Sequence, residues 1–290
     1  MSGSRWAVRL VGLSMALGLA GCAGQQTRAA SSVVDYLYPA DAEGVAVEPS
    51  IPTLALPVRV GIAFVPEGRR GVPAWASSRY LTEADKADLL ERVATHFRKY
   101  EFVQSIEVIP SAYLTSGGSF ANLDQIRTMY GTDVIALVSF DQVQFTDEGL
   151  LSLTYWTLVG AYVVSGEKND TSTMLDTVVY DVPSRSLLFR APGTSKVEGR
   201  STPVNLSEAL REDSLQGFRE AATEMTANLD TQLARFRERL KEEPDRARIV
   251  HRDGSADGGA LGAPASLALL LFAGLRRRGR GGCPEDRNLF

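Results

Sequence analysis

The sequence predicts an α/β fold: a mixed sheet with a parallel β-α-β start, an antiparallel extension and a long C-terminal helix. A separate apolar segment flanks this body at each end. Three observations predict the fold. Apolar runs and helical periods alternate between residues 58 and 145, the pattern of βαβ units whose strands pair in parallel. Three further strand-like runs then follow with no helix between them, the last two joined at Pro183-Ser184-Arg185, which is hairpin chemistry. Last, Leu206–Lys241 carries Phe218, Ala222, Met225, Leu229, Leu233, Phe236 and Leu240 along one helical side.

Taken in order, Val58–Val65 is apolar and bounded by Pro57 and Pro66, as a strand would be. A loop with Gly68, Gly71 and Pro73 follows. Thr82–Tyr100 reads as a helix, with Thr82 and Asp85 as a capping-box variant and Ala87, Leu90, Val93, Ala94 and Phe97 on one face. Ser105–Ile109 is a short strand stopped by Pro110. Asn122–Tyr130 is a second helix, closed by Gly131. Asp133–Phe145 is a strand whose start, Val134 to Val138, suits the centre of a sheet. Leu151–Val164 alternates as a long strand. Thr173–Val182 and Leu187–Val197 form the hairpin. The resulting order, β-α-β-α-β-β-β-β-α, is similar in layout to the amino-terminal domain of TolB and to the curli secretion lipoprotein, a likeness that implies fold only.

The division expected is 1–21 signal segment, 22–57 tether, 58–242 body, 243–258 linker and 259–290 C-terminal segment. The tether holds Pro39, Pro49, Pro52 and Pro57 and no sustained period. Tyr36, Leu37 and Tyr38 are read equally as a local anchor or as part of an exposed tether. The second linker opens with Pro244.

Of 290 residues, 44% are hydrophobic and 23% charged, enough apolar surface for a packed core. The net charge of −4 conceals an acidic middle: residues 22–257 carry 24 basic and 33 acidic side chains. That balance argues against a nucleic-acid partner, since binding phosphate needs clustered Lys and Arg.

Little in the body suggests chemistry. Of the two histidines, His96 lies beside the apolar face of the first helix and His251 in the second linker, neither with a partner at ligand spacing. The body has no cysteine, so thiol catalysis and zinc-thiolate sites are excluded. Ser116-Gly117-Gly118-Ser119 precedes a helix but lacks a P-loop lysine, so it reads as a plain loop rather than an anion cradle. Glu83, Asp85, Asp88 and Glu91 suit the start of a helix dipole. Asp147-Glu148 reads as turn chemistry. Asp253 and Asp257 do not match calcium-loop spacing. Arg235, Arg237, Arg239 and Lys241 read as a solvated helix face. The expectation is a non-enzymatic protein with no cofactor or metal, which binds or scaffolds other components.

The two ends say more. Arg5 and Arg9 precede a short apolar run, Leu10 to Gly18, with small residues at Ala20 and Gly21. This is the layout of an export signal. Leu19-Ala20-Gly21-Cys22 then matches a lipobox, in which the thiol at Cys22 is the lipidation site. With Cys22 lipidated, only Cys283 remains, and no internal disulfide can form. At the other end, residues 259–275 carry no charge and are followed by Arg276, Arg277 and Arg278. Seventeen helical residues span about 25 Å, the short limit for a bilayer, and the basic cluster sets topology by staying cytoplasmic. Gly258 and Gly259 stand just before this run, after a polar stretch from Asp253. Gly262 and Pro264 add poor helix propensity, which suits cleavage within the membrane.

Glycine pair, apolar helix and arginine cluster resemble the GlyGly-CTERM sorting signal, and together with the lipobox the chain resembles the rhombotarget lipoprotein family. The resemblance implies removal of residues 1–21 by a signal peptidase and attachment of membrane lipid to Cys22 by lipid transferases. It also implies processing near Gly258 and Gly259 by rhombosortase, an intramembrane serine protease of the rhomboid type. Such a protein is exported and held by its lipid at the outer membrane or cell surface, where an unidentified envelope protein would be its partner. The alternative is a permanently anchored lipoprotein with a hydrolytic or ligand-binding activity.

Overall fold

The computed structural model describes residues 25–39, 50–67, 81–148, 167–202 and 204–252. Its strands are β1 (Gln25–Ala30), β2 (Thr53–Leu56), β3 (Val58–Phe64), β4 (Val103–Val108), β5 (Val134–Glu148), β6 (Glu167–Asp181), β7 (Ser186–Ser201) and β8 (Arg248–His251). Its helices are α1 (Val33–Leu37), α2 (Glu83–Phe97), α3 (Ser119–Tyr130) and α4 (Leu206–Glu242).

The main sheet runs β4-β3-β5-β6-β7, with β1 also on β5. β3 is parallel to both β4 and β5, whereas β6 and β7 extend the sheet antiparallel, as the sequence predicts. Alternation along β3 buries both faces: Ile62 and Phe64 join a core with α2 and α4, and Ala63 and Val65 a core with α1 and α3. β5 does the same, with Ala136, Val138 and Phe140 on one side and Ile135 and Leu137 on the other. The base of the sheet is thus the middle of three layers. Fully buried side chains such as Leu123, Ile126, Leu137 and Phe218 each contribute about 1.5–3 kcal/mol by leaving water.

Local signals explain the helix ends. Thr82 Oγ1 accepts from the Asp85 backbone N–H, and the Asp85 carboxylate accepts from the Thr82 N–H, completing the capping box at α2. α3 stops at Gly131, whose φ of 64° lies in the left-handed region that glycine adopts without cost.

β5 and β6 pair for their full lengths, from Val134↔Asp181 to Glu148↔Glu167, and β7 follows to Ser201. At ~3.3 Å per residue the ladder is about 45 Å long, and about 30 Å of it extends as an arm beyond the rows that β5 shares with β3. β1 pairs along the upper part of β5, from Gln25↔Thr146 to Ala30↔Asp141, taking up the sheet side that β3 leaves open.

Two boundaries of the sequence reading are corrected. Residues 22–57 are not wholly a tether. β1 is hydrogen-bonded into the sheet, α1 buries Val33, Tyr36 and Leu37, and β2 precedes β3 directly. Likewise, within 243–258, β8 pairs in parallel with β2. Short elements of mixed composition, held by tertiary pairing, carry little periodic signal. The strand expected at Leu151–Val164 lies outside the described residues.

Candidate functional site

The residues expected to carry processing, namely Cys22, Gly258, Gly259, Arg276, Arg277 and Arg278, lie outside the described residues. The structure does place the chain beside the first of them. Gln25, three residues after Cys22, is already paired with Thr146 near the far end of the arm. The other described terminus is at the opposite end: His251 in β8 pairs with Leu56, two residues before β3 begins.

Within the body, the most developed polar constellation joins α2 to α4. His96 Nε2 lies 2.7 Å from Asp230 Oδ2, and the Tyr100 hydroxyl donates to Asp230 Oδ1 at 2.7 Å. Lys99 Nζ is 3.4 Å from the same imidazole nitrogen and 5.4 Å from the Tyr100 ring centre. Burial alone would raise the Asp230 carboxyl. The hydrogen bonds from Tyr100 and His96, with the nearby positive charge of Lys99, outweigh that and hold it below the usual carboxylate range. The arrangement fastens the two helices on a surface about one-third exposed, with the Tyr100 hydroxyl and the His96 imidazole both directed at the Asp230 carboxylate. Sequence separation hid it, since His96 and Asp230 are 134 residues apart.

A second constellation is fully buried between the arm and the first half of α4. Gln142 Nε2 donates to Thr173 Oγ1 at 2.7 Å and to the Ser214 carbonyl at 3.2 Å, while Ser214 Oγ donates to Gln142 Oε1 at 2.6 Å. One strand pair higher, Gln144 Nε2 donates to Thr171 Oγ1 at 3.0 Å and to the Leu210 carbonyl at 2.9 Å. Asn169 Nδ2 reaches Ser201 Oγ at 3.1 Å. These side chains are nearly all used, so they lock the helix in register and leave little for a ligand. Gln144 Oε1 and Asp213 Oδ2 are buried without a partner. Burial, then the neighbouring Glu212 charge, raises the Asp213 carboxyl.

Beside the Ser116–Ser119 loop, Asn122 Oδ1 accepts from the Thr115 N–H at 3.0 Å and from the Tyr36 hydroxyl at 2.8 Å, so this side chain is engaged within the protein. The adjoining depression, lined by Ser32, Asp35, Tyr36, Pro66, Ser116 and Gly117, has a volume of about 20 Å³ and includes a carboxylate. Small-molecule sites are usually larger than about 300 Å³. Among the described residues, no group of three or more His, Cys, Asp or Glu is placed to hold a metal ion, and no helix is long and apolar enough to cross a membrane.

The sequence matches no protein-family model and no curated protein. Among solved structures, it is similar to a homologue of the neuraminyllactose-binding hemagglutinin from Helicobacter pylori. That match has 10% identity and a TM-score of 0.38, covering 64% of this chain and 93% of that one. PelC of Paraburkholderia phytofirmans, crystallised as a dodecamer, matches at 11% identity and TM-score 0.28, covering 70% of this chain and 98% of its own. The lipoprotein GNA1162 of Neisseria meningitidis matches at 11% and 0.25, covering 54% and 96%. At these TM-scores the likenesses carry nothing about binding, assembly or activity to this chain.

Proposed function

We propose that the chain is a bacterial envelope lipoprotein whose body binds or scaffolds other envelope components. In this reading a signal peptidase removes residues 1–21, lipid on Cys22 holds the protein to a membrane, and a rhombosortase-type protease removes the C-terminal segment near Gly258 and Gly259. Arg276, Arg277 and Arg278 orient that segment before cleavage. The observation that carries the reading is the lipobox Leu19-Ala20-Gly21-Cys22 behind a basic, then apolar, leader. The polar groups of the body support a non-enzymatic role, because the two constellations described above are spent on fastening α4. Substituting Cys22→Ser tests the anchor. Incorporation of labelled palmitate is expected to cease and precursor to accumulate; undiminished label in that variant would refute lipidation at Cys22.

A further inference from the structure

We infer that the far end of the β1–β5–β6–β7 arm is the surface that meets the lipid bilayer. The inference rests on the proposed lipidation of Cys22 and adds an orientation to it. From Cys22 to Gln25 there are three residue steps, which span at most about 11 Å of extended chain. Gln25 is no free tether: it pairs with Thr146, and Gln26 pairs with Phe145, both near the top of β5. An acyl chain on Cys22 therefore draws this end of the arm to the headgroups.

One further feature points the same way. Phe145, which pairs with Gln26 in the row next to Gln25↔Thr146, is 44% exposed, a large apolar side chain turned outward beside the anchor. The base of the sheet lies about 40 Å away by strand rise. It carries the Arg59–Asp133 pair and the described C-terminal strand β8, whose His251 adjoins Leu56. The body thus stands with the base of its sheet directed away from the bilayer, while the first half of α4 runs along the arm.

The test uses the full chain with Cys283→Ser, purified from membranes and reconstituted in phosphatidylethanolamine–phosphatidylglycerol vesicles that contain headgroup-labelled nitroxide lipid. One variant adds Lys168→Cys, at the far end of β6; another adds Leu187→Cys, exposed near the base of β7. Each receives a bimane fluorophore. The label at position 168 is expected to be quenched at least several-fold more than the label at 187. Equal quenching, or stronger quenching at 187, on protein that floats with the vesicles would overturn the orientation while leaving lipidation intact. Protein that does not float, and whose mass shows Cys22 without lipid, would overturn both.

Discussion

Asp213 lies on α4, where the helix meets β7, and its carboxylate occupies the space that a Cβ on Gly199 would need. One of its oxygens is buried without a partner, and burial raises its carboxyl above the ordinary aspartate range. The sign follows from proton counting: the folded state holds this proton at pH values where the unfolded chain has released it. Stability therefore falls as pH rises from the ordinary range through the raised one, and at neutral pH the charge is a cost. Asp213→Asn is expected to stabilise the body by about 0.5 kcal/mol at pH 7, with the gain closing as pH falls toward 4. Urea midpoints at the two pH values check it, and an unchanged or lower midpoint at pH 7 contradicts it. Few such residues were legible in the sequence. Gln142, Gln144, Asn169, Thr171 and Thr173 are all buried, yet polar types at alternate positions give no hydrophobic period. For that reason the expected strands stopped at Phe145 and began at Thr173, while the observed ones run to Glu148 and from Glu167.

At the scale of elements, α4 and β7 define how the arm is finished. The two backbones approach so closely at Gly193 that an added Cβ would collide with the Ala221 carbonyl and the Met225 amide. The same contact guards the sheet edge. Pro192 has no N–H to offer, its carbonyl accepts from Asn228 Nδ2 at 2.8 Å, and the Thr194 N–H donates to Glu224 Oε2 at 2.6 Å. A strand from another molecule would find these groups taken. Gly193→Ala is expected to push α4 off β7 and cost about 1–3 kcal/mol, read as a lower thermal or urea midpoint. A midpoint equal to that of the native chain would mean the helix can shift freely. The capping box of α2, the glycine stop of α3 and the hairpin around Ser184 were legible because each depends on neighbours in sequence. β1 was not. Gln25-Gln26-Thr27-Arg28-Ala29-Ala30 is held as a strand by β5 and by the Arg28–Asp141 ion pair, partners more than a hundred residues away.

For the whole molecule, the alternation of strand and helix between Val58 and Phe145 was enough to predict the parallel start, the hairpin chemistry at Pro183-Ser184-Arg185 the antiparallel extension, and the period over Leu206–Lys241 the long final helix. What sequence could not supply was the reach of the fold toward its anchor. A proline-bearing stretch with no period reads as tether, yet β1 leaves only Ala23 and Gly24 between Cys22 and the sheet. Under the proposed lipidation, a body mounted so closely would move with its lipid. The residues proposed for processing are chemical and topological signals, legible as motifs in the sequence. The intact mass of the mature protein, taken from the membrane fraction, tests the account most directly. The account predicts a chain that begins at Cys22, heavier than its sequence by an acylated glyceryl group, and that ends near Gly258 and Gly259. A mature chain that still carries Phe290 would contradict the processing, and one that begins at Cys22 without added lipid would contradict the anchor.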